Sequence, residues 1–190
     1  MSFLEELVKN KMKLKRTETV VTCANGKRYV EGKNKSVTLL PSDYGFVVDT
    51  KPDNVPVMIV DHLYIGSQDC AENKILKDYN ITNVLSLGIQ VIVEANYKYV
   101  QCLDLPETDI ELVLVECLPF IQSAVDKKEN VLVHCNAGVS RTSMVAIAYL
   151  ISKGMNYEDA YSLLKSKRPS IQPNIGFIRQ LKLLNFARMA

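Results

Sequence analysis

The chain holds 190 residues with a formal net charge of +2, and 47% of them are hydrophobic. That suits one full globular domain plus an extension, and it gives no global pull toward nucleic acid or a membrane surface. Five cysteines, an odd number without paired spacing, and only two histidines argue against a disulfide framework and against a zinc site, so no metal or other cofactor is expected. The thiols fit a reduced compartment, the cytoplasm or the nucleus. Met1-Ser2-Phe3-Leu4 runs directly into Glu5-Glu6, unlike a signal peptide, and no apolar run is long enough to span a bilayer.

Residues 2–16 predict a short amphipathic helix. Ser2 can cap it with Glu5 three residues on, and Phe3, Leu4, Leu7, Val8 and Met12 mark one face. Lys9, Lys11, Lys13, Lys15 and Arg16 load its C-terminal half, the end that favours positive charge. A solvated basic face is the plain reading of that run, and a kinase-docking arm is the rival. Residues 19–22 and 28–30 read as a hairpin around Asn25-Gly26. Residues 32–56 read as a mostly irregular linker, punctuated by Gly32, Pro41, Gly45, Pro52 and Pro56. Residues 1–54 therefore form an N-terminal extension of helix, hairpin and linker, and residues 55–190 a second domain.

In that domain the pattern is α/β. Strands are expected at 57–60, 63–65, 83–87, 99–103 and 131–133, and helices at 69–79, 110–127, 143–153, 157–167 and 175–188. Pro119 could bend the second of these helices, and Gly154 ends the third. The alternation implies a central, mainly parallel, twisted sheet with helices on both faces. Reactive groups in such sheets gather at the carboxyl ends of strands, where Cys135 and Asp104 both fall.

The stretch around which the domain is organised is residues 131–142, VLVHCNAGVSRT. A buried strand, Val131-Leu132-Val133, ends at His134-Cys135. Asn136, Ala137, Gly138, Val139 and Ser140 form a neutral loop, and Arg141-Thr142 open a helix. A loop entering a helix N-terminus turns unpaired backbone N–H groups toward one point, a ready site for an anion. Arg141, six residues after Cys135, can offer two donors to two phosphate oxygens. The same positive field favours the thiolate of a cysteine placed there. The loop can therefore bind a phosphoryl group and aim a nucleophile at it. The other four cysteines have no arginine six residues on. A buried structural cysteine beside a core histidine is the bland alternative. Expelling an alkoxide or phenoxide also needs a proton donor, for which Asp104, ahead of Pro106, is the candidate. Asp109 is the fallback, with capping of the helix from residue 110 as its plainer job.

His134 through Thr142 resembles the signature HCxxGxxR(S/T) of the cysteine-based protein tyrosine phosphatases. The Ala-Gly-x-Ser-Arg form is that of their dual-specificity branch. Residues 104–108, DLPET, resemble that branch's acid loop, and Arg168-Pro169-Ser170 through Asn174-Ile175-Gly176-Phe177 resemble its C-terminal segment. With Gly26-Lys27-Arg28 and Gly66-Ser67-Gln68-Asp69, the likeness is to the atypical members that regulate the stress-activated protein kinase pathway. The resemblance implies hydrolysis of phosphotyrosine and phosphoserine or phosphothreonine in proteins, MAP kinases or their upstream kinases among them, through a phosphocysteine. It gives Cys135 the role of nucleophile and Asp104 that of acid. Arg141 and loop residues 136–140 hold the phosphate, and the Thr142 hydroxyl bonds the departing sulfur. His134 orients the loop and Ser140 bonds within it. Asn174 either braces the loop or caps the last helix. Ser86 stands where the family often has Asn, so one bracing contact is expected to differ. The alternatives are a glucan or other non-protein phosphomonoester phosphatase and a kinase-binding scaffold with little turnover. A further idea is that Cys102 traps Cys135 as a disulfide on oxidation.

Overall fold

The computed structural model describes residues 19–22, 28–31, 37–40 and 53–184. The helix expected over residues 2–16 and the end of the helix expected to reach 188 lie outside them. By contacts the chain divides into Met1–Ser42 and Asp43–Ala190.

The first unit contains β1 (Thr19–Thr22), β2 (Arg28–Glu31) and β3 (Val37–Leu40), antiparallel in that order. The hairpin has the expected place, with Thr19 opposite Glu31 and Thr22 opposite Arg28. β3 corrects the reading of residues 32–56 as irregular. Val37-Thr38-Leu39-Leu40 is a short run of strand-forming residues between Gly32 and Pro41, and it extends the hairpin along Arg28–Glu31.

The second unit is built on a five-stranded sheet: β4 (Val57–Val60), β5 (Leu63–Gly66), β6 (Ile81–Leu87), β7 (Asn96–Val100) and β8 (Asn130–His134), in the order β4-β5-β8-β6-β7. β4 pairs antiparallel with β5, and every other pair is parallel. Five helices accompany it: α1 (Asn73–Asp78), α2 (Ile110–Asp126), α3 (Arg141–Ser152), α4 (Tyr157–Lys167) and α5 (Ile175–Leu183).

Side-chain alternation explains how the sheet is covered. Val131 and Val133 of β8 face one core with Leu85 and Leu87 of β6 and the buried residues of α2 to α5, while Leu132 and Val84 face the other with Cys70, Ala71 and Leu76. An unbroken Val-Leu-Val run is what a strand covered on both sides requires. α3 crosses the larger core, with every residue from Thr142 to Leu150 buried. The start of α3, and so the loop before it, is anchored by a continuously buried stretch of helix.

Two elements differ from the sequence reading in ways that bear on the site. Residues 69–79 are a 3-10 turn, Gln68–Ala71, and then α1, separated by Glu72 in an extended conformation. β7 ends at Val100, where it pairs with Leu87, so Asp104 lies in the loop beyond a strand and does not end one. Beyond the ladder the Cys102 carbonyl accepts from Arg141 Nη1 at 3.5 Å.

Candidate active site

β8 delivers Cys135 and α3 begins at Arg141, so residues 135–140 are the loop foreseen from the sequence. Its outer side can be followed carbonyl by carbonyl. Cys135 O meets His134 Nδ1 at 3.4 Å, and Asn136 O accepts from Gln68 N at 2.9 Å. Ala137 O and Gly138 O accept from Arg168, through Nη2 at 3.3 Å and Nε at 3.1 Å. Val139 O accepts from Gln172 N at 3.0 Å and from Ser143 Oγ at 2.6 Å. Ser140 O accepts from Met144 N at 2.9 Å and Ser143 Oγ at 2.8 Å. Across a planar peptide the carbonyl and the next N–H point in opposite directions. Fixing six carbonyls outward therefore turns the intervening N–H groups inward. Among the described residues none of the N–H groups of 136–140 donates to a protein acceptor. Gly138 makes the turn at φ 65°, and a Cβ there would lie 2.5 Å from the Gly66 backbone.

The helix end adds to this. Ser140 is the N-cap of α3, yet its hydroxyl makes no capping bond. It donates to Asp104 Oδ1 at 2.6 Å, so this serine reaches out of the loop to the acid loop and does not bond within it. The first-turn N–H groups of α3 are left facing the loop without a side-chain acceptor, the arrangement that suits an oxyanion. Arg141 is held from behind through Nη1, which donates to Leu87 O at 3.0 Å as well as to Cys102 O. Its Nε, and the hydroxyl of Thr142 beside it, are buried without any partner among the described residues. An unsatisfied buried donor costs about 1–3 kcal/mol. Two on consecutive residues at the loop exit mark groups kept for something outside the protein. The alternative for Thr142, a bond to the helix backbone, is not made.

Asp104 sits over the loop exit. Its Oδ1 accepts from Ser140 Oγ and, at 2.8 Å, from Asn174 Nδ2. The Asn174 side chain caps α5, as one of its two readings had it, but its amide reaches the acid loop and not the phosphate loop. Its Oδ1 caps α5 by accepting from Phe177 N at 3.0 Å, while its amide nitrogen bonds the acid loop and its backbone N donates to Ser140 Oγ at 3.1 Å. The acid loop also lies directly on Gly176, where a Cβ would come 2.1 Å from Pro106 O. Asp109 accepts from Glu111 N at 2.9 Å and caps α2.

Behind the loop, His134 is fully buried, with Ser86 Oγ on Nε2 and the Cys135 carbonyl near Nδ1. A carbonyl only accepts, so Nδ1 carries the proton and Ser86 donates to Nε2. The hydroxyl at the position often occupied by Asn thus holds the histidine ring. Burial lowers the His134 pKa from 6.5 to about 4, against the opposing bond to the Cys135 carbonyl, so the ring is neutral near pH 7. A depressed histidine pKa stabilises the fold above the unfolded value, and that contribution is lost as pH falls toward 4. Between pH 7.5 and 5 it amounts to about 2 kcal/mol. Urea midpoints at the two pH values should show this loss, and a folded His134→Asn variant should lack it; an unchanged pH slope in the variant would place the effect elsewhere. Burial also pushes Cys70 up to about 11 and Cys102 up to about 12, which keeps both as thiols at neutral pH.

The structure thus brings together Cys135, residues 136–140, Arg141, Thr142, Asp104, His134 and Asn174. Sequence reasoning assigned no role to Arg168, Asp53 or Gln68, which hold the loop from outside. The available signal was the likeness of Arg168-Pro169-Ser170 and Gly66-Ser67-Gln68-Asp69 to family segments, which named no role for these residues. Among the described residues, no helix is long and apolar enough to cross a membrane.

The sequence profile of "Dual specificity phosphatase, catalytic domain" matches residues 63–186. The chain belongs to the dual specificity phosphatase family. The mouse (Mus musculus) dual specificity protein phosphatase 19 is 36% identical over 182 residues, covering 89% of this chain and 83% of the relative. A Dictyostelium discoideum protein named MAP kinase phosphatase with leucine-rich repeats protein 2 is 38% identical over 133 residues, covering 67% of this chain and 19% of the relative. The crystal structure of DUSP15 superposes with a TM-score of 0.67 at 29% identity over 72% of this chain and 90% of that one. The dual-specificity fold and protein phosphatase activity read from the loop agree with these likenesses.

Proposed function

We propose that this dual-specificity phosphatase hydrolyses phosphotyrosine and phosphoserine or phosphothreonine in proteins through a phosphocysteine. The Cys135 thiolate attacks phosphorus, and the ester oxygen leaves with the proton of Asp104. In the second step the Asp104 carboxylate takes a proton from water as that water attacks the phosphocysteine. Phosphate is released, and Cys135 departs as thiolate with the Thr142 hydroxyl donating to it. The inward amides of the loop and the Nε edge of Arg141 hold the three equatorial oxygens throughout. Donors aimed in advance at developing charge are the largest source of such stabilisation. The observation that carries this reading is the bracing of six successive loop carbonyls from outside.

MAP kinases, and kinases of the stress-activated pathway among them, are the protein substrates we infer. The support is the name carried by the Dictyostelium relative and, for the stress-activated pathway, the resemblance carried by Gly26-Lys27-Arg28 and Gly66-Ser67-Gln68-Asp69. Phosphate release from phosphotyrosine and phosphothreonine peptides, and from the phosphorylated activation segment of a MAP kinase, is the test. Turnover of both peptide classes is expected. Release confined to phosphoglucan or phosphoinositide would replace the substrate class, and tight kinase binding without release would make the chain a scaffold.

A further inference from the structure

We propose that Asp53 is a positioning residue for the phosphate loop, acting through Arg168. The proposal rests on the phosphatase reading above and names a part of the machinery that lies before the first strand of the sheet.

Arg168 is 5% exposed and spans from the loop to Asp53. One end of its guanidinium holds Ala137 O and Gly138 O, and Nη2 also pairs with Asp53 Oδ2. A buried guanidinium without a carboxylate is an uncompensated charge, free to rotate toward whatever acceptor it can find. The carboxylate fixes the plane in which the guanidinium faces the two carbonyls.

The backbone of Asp53 fastens a second brace. Its carbonyl accepts from Ser67 Oγ at 2.7 Å and Cys70 Sγ at 3.1 Å, and its N–H donates to Asp69 Oδ2 at 3.1 Å. Those three residues flank or form the 3-10 turn whose Gln68 N–H holds Asn136 O. One residue therefore secures the donors to three consecutive loop carbonyls, Asn136, Ala137 and Gly138. By the geometry of the peptide plane these set the aim of the N–H groups of 137, 138 and 139. The fit is close: a Cβ on Gly138 would lie 2.8 Å from Arg168 Nη2. The Asp53 side chain is itself 37% exposed, so this buried brace ends on a carboxylate that solvent reaches.

The ion pair could instead serve stability alone, and the two roles separate in kinetics. In the full-length chain, Asp53→Asn should lower kcat/KM for p-nitrophenyl phosphate by about ten- to a hundredfold, the range for misplaced groups around a reacting centre. It should weaken competitive inhibition by inorganic phosphate by a similar factor. Arg168→Lys keeps the charge but loses the two-pronged donor, and it should reproduce both changes. The double variant should be no worse than the singles, because the two residues act as one unit. Glu94→Gln, which removes the exposed pair with Lys77, is the control for loss of an ion pair and should leave both quantities unchanged.

A folded Asp53→Asn protein with wild-type kcat/KM and wild-type phosphate inhibition, changed only in melting temperature, overturns the proposal. If that variant does not fold, Asp53→Glu decides: its longer side chain keeps the charge but shifts the guanidinium, and wild-type phosphate affinity there also overturns it. Failure of the phosphatase reading shows separately, as an inactive wild type, and direct binding of inorganic phosphate then still tests Asp53.

Discussion

Replacing Cys135 with serine should abolish turnover, by roughly 10⁴-fold or more, while leaving phosphopeptide binding in place. The oxygen is close to the sulfur in size and sits on the same backbone, so nothing in the loop need move. A serine hydroxyl, however, carries its proton at neutral pH, and Asp104, needed as the acid of the first step, cannot also be its base in that step. His134 is the neighbour in sequence, but both its ring nitrogens are engaged and its pKa is near 4. The braces on residues 136–140 come from Gln68, Arg168, Gln172, Ser143 and Met144, none of which involves the sulfur. The variant should therefore hold a phosphopeptide without consuming it. Single-turnover phosphate release together with calorimetric binding would show this. Release near the wild-type rate would remove Cys135 from the chemistry, and loss of binding along with release would mean that the amide cradle is not what holds the phosphate.

The second large effect is expected at Asp104. Asp104→Asn keeps an oxygen that can accept from Ser140 and Asn174, so the acid loop should stay where it is. What is lost is the transferable proton. A general acid is worth about 10²–10⁴ in rate, and more of it is needed the worse the leaving group. The kcat/KM for a phosphothreonine peptide, which expels an alkoxide, should fall by about 10²–10⁴. For p-nitrophenyl phosphate, whose nitrophenolate departs with little help, the fall should be distinctly smaller. Because kcat/KM ends at formation of the phosphocysteine, this contrast isolates the first proton transfer, while kcat on both substrates should also report loss of the water-activating base. Equal losses in kcat/KM on both substrates would make Asp104 a structural residue of the loop and assign the proton to another group.

What the sequence displayed and what it concealed divide by distance along the chain. The strand, loop and helix of residues 130–152 were legible because their logic is local: an apolar run, a neutral glycine-containing loop, then a helix without a single charge after Arg141. Asp104 was legible as a group, though its strand was misjudged. That strand ends at Val100, opposite Leu87, and beyond it the Cys102 carbonyl meets Arg141, 39 positions on. Asn174 carried two readings: its oxygen makes the helix cap, whereas its amide nitrogen goes to Asp104 and only its backbone N reaches Ser140 of the phosphate loop. Ser86 looked like a departure from the family, but its meaning depends on a ring 48 positions away. Arg168 and Asp53 are separated by 115 positions. No periodicity links them, and a charged residue in sequence is ordinarily taken for surface.

The supports of this one short loop are gathered from residues 53, 67–70, 86, 143–144, 168 and 172, nearly the whole length of the second unit. Such long-range closure is slow to assemble and has no working half-measure. A ribosome-bound chain that has already made Cys135 and Arg141 still lacks Arg168 and Asn174, so it emerges as an inert polypeptide. Its ability to strip phosphate from its surroundings arrives only after α5 is released, and under heat or denaturant it should vanish in the same cooperative step as the fold.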